Sequence, residues 1–253
     1  MSWDHLNNGP FRLQEWMLAC QRFKAFIKDN RKKIEGKANG AKKAEDLRDL
    51  EFELEVAFLL LQDNRFEVVK YEEIDRTKRH PDYEFRFNKD TCINVEVKRI
   101  RGVTVRQRKE HPAPIPYTQK EFRKFGDDIC VGCRQSVPFM INALIIASDS
   151  DNMEDLDLIT AVDEIDDRVN EKDDVFFRGK GFNGTGDFLE YWRHLSGAVF
   201  LSSWVKLGIT PYRNELWCNP LAISPIPETI QECLRNIRKT RGLMPREERS
   251  DDL

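Results

Sequence analysis

The stretch HPDYEFRFNKDTCINVEVKRI, residues 80–100, decides the fold. From 82 to 88 aromatic side chains alternate with charged or polar ones, and from 92 to 100 aliphatic side chains alternate in the same way. A period of two predicts a β-strand with one face toward the core. The polar turn Asn88-Lys89-Asp90 lies between the two segments, so we expect them to form a hairpin.

Helices and further strands surround this hairpin. Helical spacing of apolar residues predicts helices, and short β-rich or apolar runs predict strands. The predicted helices cover 11–36, 44–62, 118–136, 154–172 and 228–238, and the further strands cover 66–71, 139–147, 197–205 and 215–219. Glycine-rich segments at 35–43 and 179–186 predict loops. We therefore expect an α/β fold whose central mixed β-sheet is flanked by helices on both faces.

The chain divides into three predicted parts. Residues 1–43 form an N-terminal helical extension, and residues 44–238 form an α/β domain in which strands and a helix are added after the core. Residues 239–253 form a charged tail with almost no apolar side chains, so we expect the tail to be disordered.

The composition excludes several classes of protein. The chain has no apolar run near the ~20 residues that a membrane span needs, and no secretory signal at its start. Its six cysteines are scattered. We therefore expect a cytoplasmic protein with free thiols and no membrane partner. Cys130 and Cys133 form a single CxxC pair, which lacks the second pair or the histidines that would complete a zinc site.

Charge is distributed unevenly although the net charge is only −3. Residues 98–124 contain nine lysines or arginines against two glutamates, and residues 149–174 contain twelve acids against two bases. Opposed blocks of this kind indicate one face that attracts a polyanion and another that repels it. Solvated helix faces would produce the same pattern and remain an alternative.

Three charged residues of the opening stretch form a candidate site. Glu96 and Lys98 are two apart, so they point to one face of the strand while Val95 and Val97 point to the core. Asp82 begins the partner strand, where the hairpin brings it near Glu96. Two carboxylates and an ammonium suit Mg²⁺ and phosphate chemistry. In a chain with 34 % charged residues such a triplet also arises as plain surface charge, but the joint arrangement of elements favours a site.

This arrangement resembles the PD-(D/E)XK nuclease superfamily, which has the restriction-endonuclease-like fold. Pro81-Asp82 and Glu96-Val97-Lys98 match its signature, and residues 44–147 match its α-β-β-β-α-β core. The helix segment FELEVAFLL (52–60) is similar to that of restriction enzymes that attack modified DNA, although Arg65-Phe66 replaces the usual glycine-aromatic pair. The similarity gives Glu53 the role of a further acid. Glu51 and Glu55 compete with Glu53 for this role.

The resemblance implies a metal-dependent nuclease. Asp82, Glu96, the Val97 carbonyl and Glu53 would hold Mg²⁺, for which Mn²⁺ can substitute. Lys98 would position water or stabilise charge on the phosphate, and hydrolysis would leave a 5′-phosphate. The expected substrate is nucleic acid, DNA more than RNA, in restriction, defence or repair.

The basic segment supplies candidate contacts to the phosphates of that substrate. These candidates are Arg99, Arg101, Arg106, Arg108, Lys109, Lys120, Arg123 and Lys124. Gln135 or Lys120 would be the polar residue that the following helix often turns toward the site. Cleavage of both strands would need two sites, hence a homodimer or two passes. The alternative function is a catalytically silent module of the same fold that binds nucleic acid or scaffolds an assembly.

Overall fold

The computed structural model describes residues 13–72, 80–101, 119–148, 156–202 and 214–237. The helices are α1 (Leu13–Ala19), α2 (Gln21–Asp29), α3 (Arg31–Gly40), α4 (Ala44–Leu61), α5 (Gln119–Gln135), α6 (Leu156–Asn170), α7 (Asp174–Gly179), α8 (Thr185–Trp192) and α9 (Glu228–Arg235). The strands are β1 (Phe66–Tyr71), β2 (Tyr83–Phe87), β3 (Thr91–Ile100), β4 (Ile141–Ser148), β5 (Gly197–Ser202) and β6 (Asn214–Cys218). A mixed sheet flanked by helices confirms the predicted α/β class.

The strands of the sheet lie in the same order as in the chain, from β1 to β6. The first three strands form an antiparallel meander, β3, β4 and β5 are parallel, and β6 returns antiparallel. The predicted hairpin is the β2–β3 pair. Asn88 and Lys89 at its turn have φ of 48° and 70°, the two consecutive left-handed residues of a type I′ turn.

The segment from α4 to β4 has the predicted α-β-β-β-α-β order. Helix α5 makes the crossover between the parallel strands β3 and β4, because parallel neighbours cannot be joined by a tight turn. In this order β3 lies inside the sheet, with the antiparallel meander on one side and the parallel strands on the other.

Each face of the sheet covers a separate hydrophobic core. The first core lies against helices α1 to α4 and α9, and it contains Val95 and Val97 of β3. The second core lies against α5 to α8 and contains Leu144 and Phe200 of the parallel strands. Val95 and Val97 therefore point inward as their alternation predicts. The N-terminal helices share the first core with the rest of the chain.

The prediction of one helix over 11–36 is wrong, because the chain breaks at two residues and forms α1, α2 and α3. Cys20 has extended backbone and caps α2 by accepting a hydrogen bond from the Phe23 N–H to its Sγ at 3.5 Å. Asn30 ends α2 and begins α3. Neither residue is a strong breaker, so helical periodicity continues across both breaks.

The loop predicted over 35–43 is mostly helical, because α3 continues to Gly40. Its glycines disfavour a helix, but Ile34 and Ala38 are buried in the first core. Burial of one helical face outweighs the weak local preference. This difference matters for the site, since α3 carries one of its side chains.

The loop predicted over 179–186 is shorter than expected, and the prediction missed the two short helices α7 and α8 that flank it. Asp173 caps α7 by accepting the Phe176 N–H at 2.9 Å. Phe177 and Phe188 stack with ring centres 4.3 Å apart and so hold the two helices together. The predicted tail at 239–253 lies outside the described residues. Within the described part of the chain, no helix is long and apolar enough to cross a membrane.

Candidate metal centre

Strands β2 and β3 separate where β2 begins, and we call the opening between them the fork. Tyr83 is the first residue of β2 and pairs with Val95, whereas β3 continues to Ile100. Asp82 lies in this opening and makes a hydrogen bond to the chain on either side of it. Its Oδ2 accepts a hydrogen bond from the Val97 N–H at 2.8 Å, and its backbone oxygen accepts one from the Glu72 N–H at 3.0 Å. The fork therefore holds the Asp82 carboxylate in a fixed place.

Three carboxylates meet at this fork. One oxygen from each of Glu53, Glu72 and Asp82 lies within 4.8 Å of the other two, and we call these residues the carboxylate group. Glu53 lies on α4, Glu72 directly follows β1 and Asp82 directly precedes β2. The hydroxyl of Tyr83 donates to the backbone oxygen of Glu53 at 3.0 Å and so ties that turn of α4 to β2.

Glu53 is the acid of α4 that belongs to the carboxylate group. It is only 8 % exposed, because α4 packs its apolar face on the sheet and Glu53 lies on the buried side. Glu51 and Glu55 do not belong to the group within the described residues. The expectation that Glu53 is the helix acid beside Asp82 therefore agrees with the geometry.

Two members of the site were missed by sequence reasoning. Glu72 directly follows β1 and reaches the fork because its strand pairs with the segment that begins at Asp82. Lys37 of α3 donates to both Glu53 oxygens at 2.7 and 3.0 Å and also to Glu72. A signal for Glu72 was its position at a strand end, whereas Lys37 was hidden in a segment predicted to be a loop.

Glu96 forms an ion pair with Lys98, and the charges of Asp82 and Glu53 act on it. Within the described residues Glu96 is not a member of the carboxylate group, so its predicted role as a shared metal ligand with Asp82 stays a prediction. Glu96 is 5 % exposed, and its Oε2 has no hydrogen-bond partner among the described residues. The same holds for Oε1 of Gln135. Both residues line a small, partly open pocket of about 10 Å³, about the size of one water molecule. Gln135 thus lies on the Glu96 side of the sheet, and its expected role at the site stays a prediction.

The buried acids hold protons more tightly than free acids. Burial, together with the negative charge of Asp82, raises the pKa of Glu53 to about 7 and that of Glu96 to about 8. Burial also raises the pKa of Asp82. Burial lowers the pKa of Lys98, but the Glu96 and Asp82 carboxylates outweigh it and keep this pKa above its usual value. Lys98 therefore stays charged at neutral pH.

The donor set of the carboxylate group fits a hard divalent cation. All its donors are carboxylate oxygens, the ligands that Mg²⁺ and Mn²⁺ prefer. Three ligands of one octahedral Mg²⁺, each about 2.0–2.1 Å from it, include at least two pairs that are only about 3 Å apart, so oxygens as far apart as 4.8 Å would have to move together by up to about 2 Å on binding. The charges of Asp82 and Glu53 also act on the Glu96 carboxyl, whose Oε2 has no hydrogen-bond partner among the described residues.

Backbone direction at β3 supports a further oxygen ligand. In a strand, the N–H and C=O of one residue point to the same neighbour. The Val97 N–H points at Asp82, so the Val97 carbonyl faces the same opening. The predicted role of Val97 as a carbonyl ligand is therefore compatible with the fork.

Of the predicted phosphate contacts, the first two form ion pairs within the protein. Arg99 is only 3 % exposed and pairs with Glu45 at 2.6 Å and Asp49 at 2.7 Å. Arg101 pairs with Asp49 and Asp46. These acids lie in the first turns of α4, so both arginines brace β3 against the helix that carries the site.

The other predicted contacts have no described side chains. Arg106, Arg108 and Lys109 lie outside the described residues. Lys120, Arg123 and Lys124 belong to the start of α5, of which the structure describes the backbone alone.

The CxxC pair is a packing feature of the second core. Cys130 and Cys133 are both buried there. Burial raises the pKa of Cys130 to about 12 and raises that of Cys133 as well. Without a bound metal both are therefore neutral thiols packed among apolar side chains.

Comparison with protein-family models, curated proteins and solved structures found no match for this chain. Function has to be inferred from its residues and their geometry. The resemblance to the nuclease superfamily stays an expectation that rests on the short motifs and on the order of elements.

Proposed function

We propose that the chain is a Mg²⁺-dependent phosphodiesterase that hydrolyses nucleic acid, DNA more than RNA, in restriction, defence or repair. The observation that carries the proposal is the carboxylate group at the sheet fork with the Glu96–Lys98 pair beside it. A cluster of buried acids raises the free energy of the folded chain unless a cation or protons compensate it. A binding site for a divalent cation is the simplest function that would compensate for that instability.

The charges of the site favour a doubly charged ligand. Four carboxylates, those of Glu53, Glu72, Asp82 and Glu96, face two ammonium groups. With all six groups ionised the net charge is two negative charges. When bound, Mg²⁺ would polarise a phosphate oxygen and lower the pKa of its water. The carboxylate group would hold it, and the Val97 carbonyl would add a neutral oxygen.

Lys98 would act on the substrate. Glu96 holds its ammonium group at the edge of the site, and the Lys98 side chain is 24 % exposed, so it can reach a bound phosphate. A fixed positive charge there stabilises the negative charge that develops on the phosphate oxygens in the transition state. Its raised pKa makes it a poor base, so positioning and charge stabilisation are its proposed roles.

The architecture supports the same proposal. The α4-β1-β2-β3-α5-β4 order, with Asp82 directly before β2 and Glu96 on the neighbouring β3, is the arrangement that the resemblance to PD-(D/E)XK nucleases implies. Nucleic acid as the substrate rests on that resemblance and on the basic segment from 98 to 124. The engaged Arg99 and Arg101 shift the expected phosphate contacts to the later part of the segment.

One observation favours a second candidate, a catalytically silent module that binds nucleic acid. Lys37 already contacts Glu53 and Glu72, and a site that never takes a metal would need such a counter-ion. This candidate predicts binding of nucleic acid without cleavage, unchanged when divalent cations are removed.

A cleavage assay separates the two candidates. The full chain is incubated with supercoiled plasmid, linear single-stranded DNA and RNA, each with Mg²⁺, Mn²⁺ or EDTA. We expect cleavage with either cation and none with EDTA, and no cleavage by the matched variant Asp82→Asn. Binding without cleavage in every condition would favour the silent module, and cleavage by Asp82→Asn would place the activity elsewhere, a contaminant included.

A further inference from the structure

Lys37 lies where a cation bound to the carboxylate group would make its contacts. Its Nζ is 2.7 Å from one Glu53 oxygen and 3.0 Å from the other, and it also donates to Glu72. An ammonium group donates three hydrogen bonds and accepts none. These contacts therefore use the oxygens of two of the three acids.

The helix that carries Lys37 is held firmly, whereas the Lys37 ammonium can move away from Glu53 and Glu72. Ile34 and Ala38 of α3 are buried in the first core, and Lys33 of the same helix donates to the Tyr71 backbone oxygen at 2.6 Å. Lys37 is 31 % exposed along its side chain. Its flexible stem can carry the ammonium to water without any movement of α3.

An ammonium and a divalent cation cannot share the same carboxylate oxygens at low energetic cost. Both are attracted by the same negative field, and at close range they repel each other. A doubly charged ion is attracted more strongly than a lysine, so it can displace the ammonium. Monovalent ions carry no more charge than Lys37 and lack its tether to α3.

We infer that Lys37 is an internal counter-ion that competes with divalent cations for Glu53 and Glu72 and so sets the cation concentration at which the site fills. The inference rests on the proposed function only in that the carboxylate group must bind a divalent cation. Lys37 then has two effects. Its charge stabilises the metal-free protein by neutralising buried acids, and it weakens metal binding because the cation must displace the Lys37 ammonium.

The test is a Mn²⁺ titration of the metal-free full chain by calorimetry, in the absence of nucleic acid. Lys37→Met keeps the length of the side chain and removes its charge. The matched control is Lys33→Met, one turn earlier on α3, whose ammonium contacts backbone oxygens of Tyr71 and Glu72 instead of carboxylates. Lys37→Arg keeps the charge and should behave like the wild type.

We expect Lys37→Met to lower the Kd for Mn²⁺ by about tenfold or more, because removal of one competing charge at this distance is worth that much or more. Lys33→Met should change the Kd by less than about twofold. Thermal melting provides a second measurement. Lys37→Met should melt lower than the wild type without metal and gain more than the wild type from saturating Mn²⁺.

Each other outcome overturns either the inference or the proposed function. Equal or weaker Mn²⁺ binding by Lys37→Met overturns the role of Lys37 and leaves the nuclease proposal intact. Absence of Mn²⁺ binding in every protein overturns both. Tighter binding by Lys37→Met in a chain that cleaves no nucleic acid supports the inference and overturns the catalytic proposal. If Lys37→Met does not fold without metal, Lys37→Gln replaces it in the same titration.

Discussion

The carboxylate of Asp82 accepts the backbone N–H of Val97 at 2.8 Å, and this bond ties the strand that carries Glu96 and Lys98 to the start of its neighbour. Asp82 therefore has two roles that a substitution can separate. Its oxygen closes the fork of the sheet, and its charge belongs to the carboxylate group.

Asp82→Asn removes the charge and keeps an amide oxygen that can accept the Val97 N–H. We expect loss of Mn²⁺ binding and of cleavage, with a melting temperature at or above that of the metal-free wild type. The reason is that a buried charge repelled by Glu53 and Glu96 has been removed. Asp82→Ala also loses the hydrogen bond and should be less stable than Asp82→Asn by about 1–3 kcal/mol. Wild-type Mn²⁺ affinity in Asp82→Asn would show that Asp82 is no ligand.

Lys98→Met should lower the cleavage rate by about 10²–10³, the usual loss when one charge-stabilising group is removed from a preorganised site. Its Mn²⁺ affinity should be unchanged or slightly tighter, because a repelling charge has left. Lys70→Met is the matched control, since Lys70 lies on β1 and pairs with Glu84 at 3.3 Å outside the group. Cleavage as fast as the wild type would make Lys98 ordinary surface charge.

Glu72→Gln should weaken Mn²⁺ binding by about tenfold or more, because one of the three carboxylates loses its charge. Glu84→Gln serves as the control, since Glu84 lies on β2 and is not one of the three acids that form the carboxylate group in the described part of the chain. Calorimetry with Mn²⁺ measures both variants. Equal affinities for the two variants would remove Glu72 from the metal centre.

Stability of the metal-free protein should fall as pH rises from about 4.5 to about 8. The folded-state pKa values of Glu53 and Glu96, about 7 and about 8, lie above the ordinary value of 4.5. The folded chain thus binds more protons than the unfolded chain in this window, and the stability from these groups is full below 4.5 and lost as the pH passes the folded values. Urea unfolding at several pH values measures the slope.

Glu53→Gln should flatten that slope, whereas Glu55→Gln on the same helix should keep it. Because metal ligands must lose their protons, the stabilisation by Mn²⁺ should grow over the same pH range. A slope of the opposite sign in the wild type would mean that these acids are not buried as described.

Arg99→Met should destabilise the fold by about 1.5–3 kcal/mol, because Arg99 makes charged hydrogen bonds to Glu45 and Asp49. Arg48→Met is the control, since Arg48 is 59 % exposed and only 3.5 Å from Glu45 in a surface pair. Denaturant unfolding measures both. Unchanged stability combined with weaker DNA binding would restore Arg99 as a phosphate contact.

The core of the fold could be predicted because its signal is local. Alternation with period two along 82–88 and 92–100 fixes which side chains face the core, and the turn at 88–90 fixes how the two strands pair. The buried strand β4 and the helix α4 follow from runs of apolar residues. The breaks at Cys20 and Asn30 could not be predicted, since they depend on tertiary packing and not on strong breakers.

The site was predictable to the extent that one short segment carries it. Asp82, Glu96 and Lys98 lie in a single hairpin segment, so strand phase places Glu96 and Lys98 on one strand face and Asp82 at the start of the neighbouring strand. Lys37 and Glu72 reach the fork through the packing of α3 and through the register of β1, which no local pattern reveals. The ion pairs of Arg99 and Arg101 are equally non-local, so the sequence alone could not show that these two arginines are held within the protein.

The agreement between strand order and chain order affects how the molecule is made. Each strand pairs with the strand synthesised just before it, so during translation the sheet can grow from one edge without any insertion. Until β4 is added, β3 is the exposed edge of the nascent sheet. Exposed edges invite wrong pairing with other chains, and charged side chains discourage it. Glu96, Lys98 and Arg99 lie on that edge, so we expect them to suppress aggregation of the nascent chain before the second half of the sheet has formed.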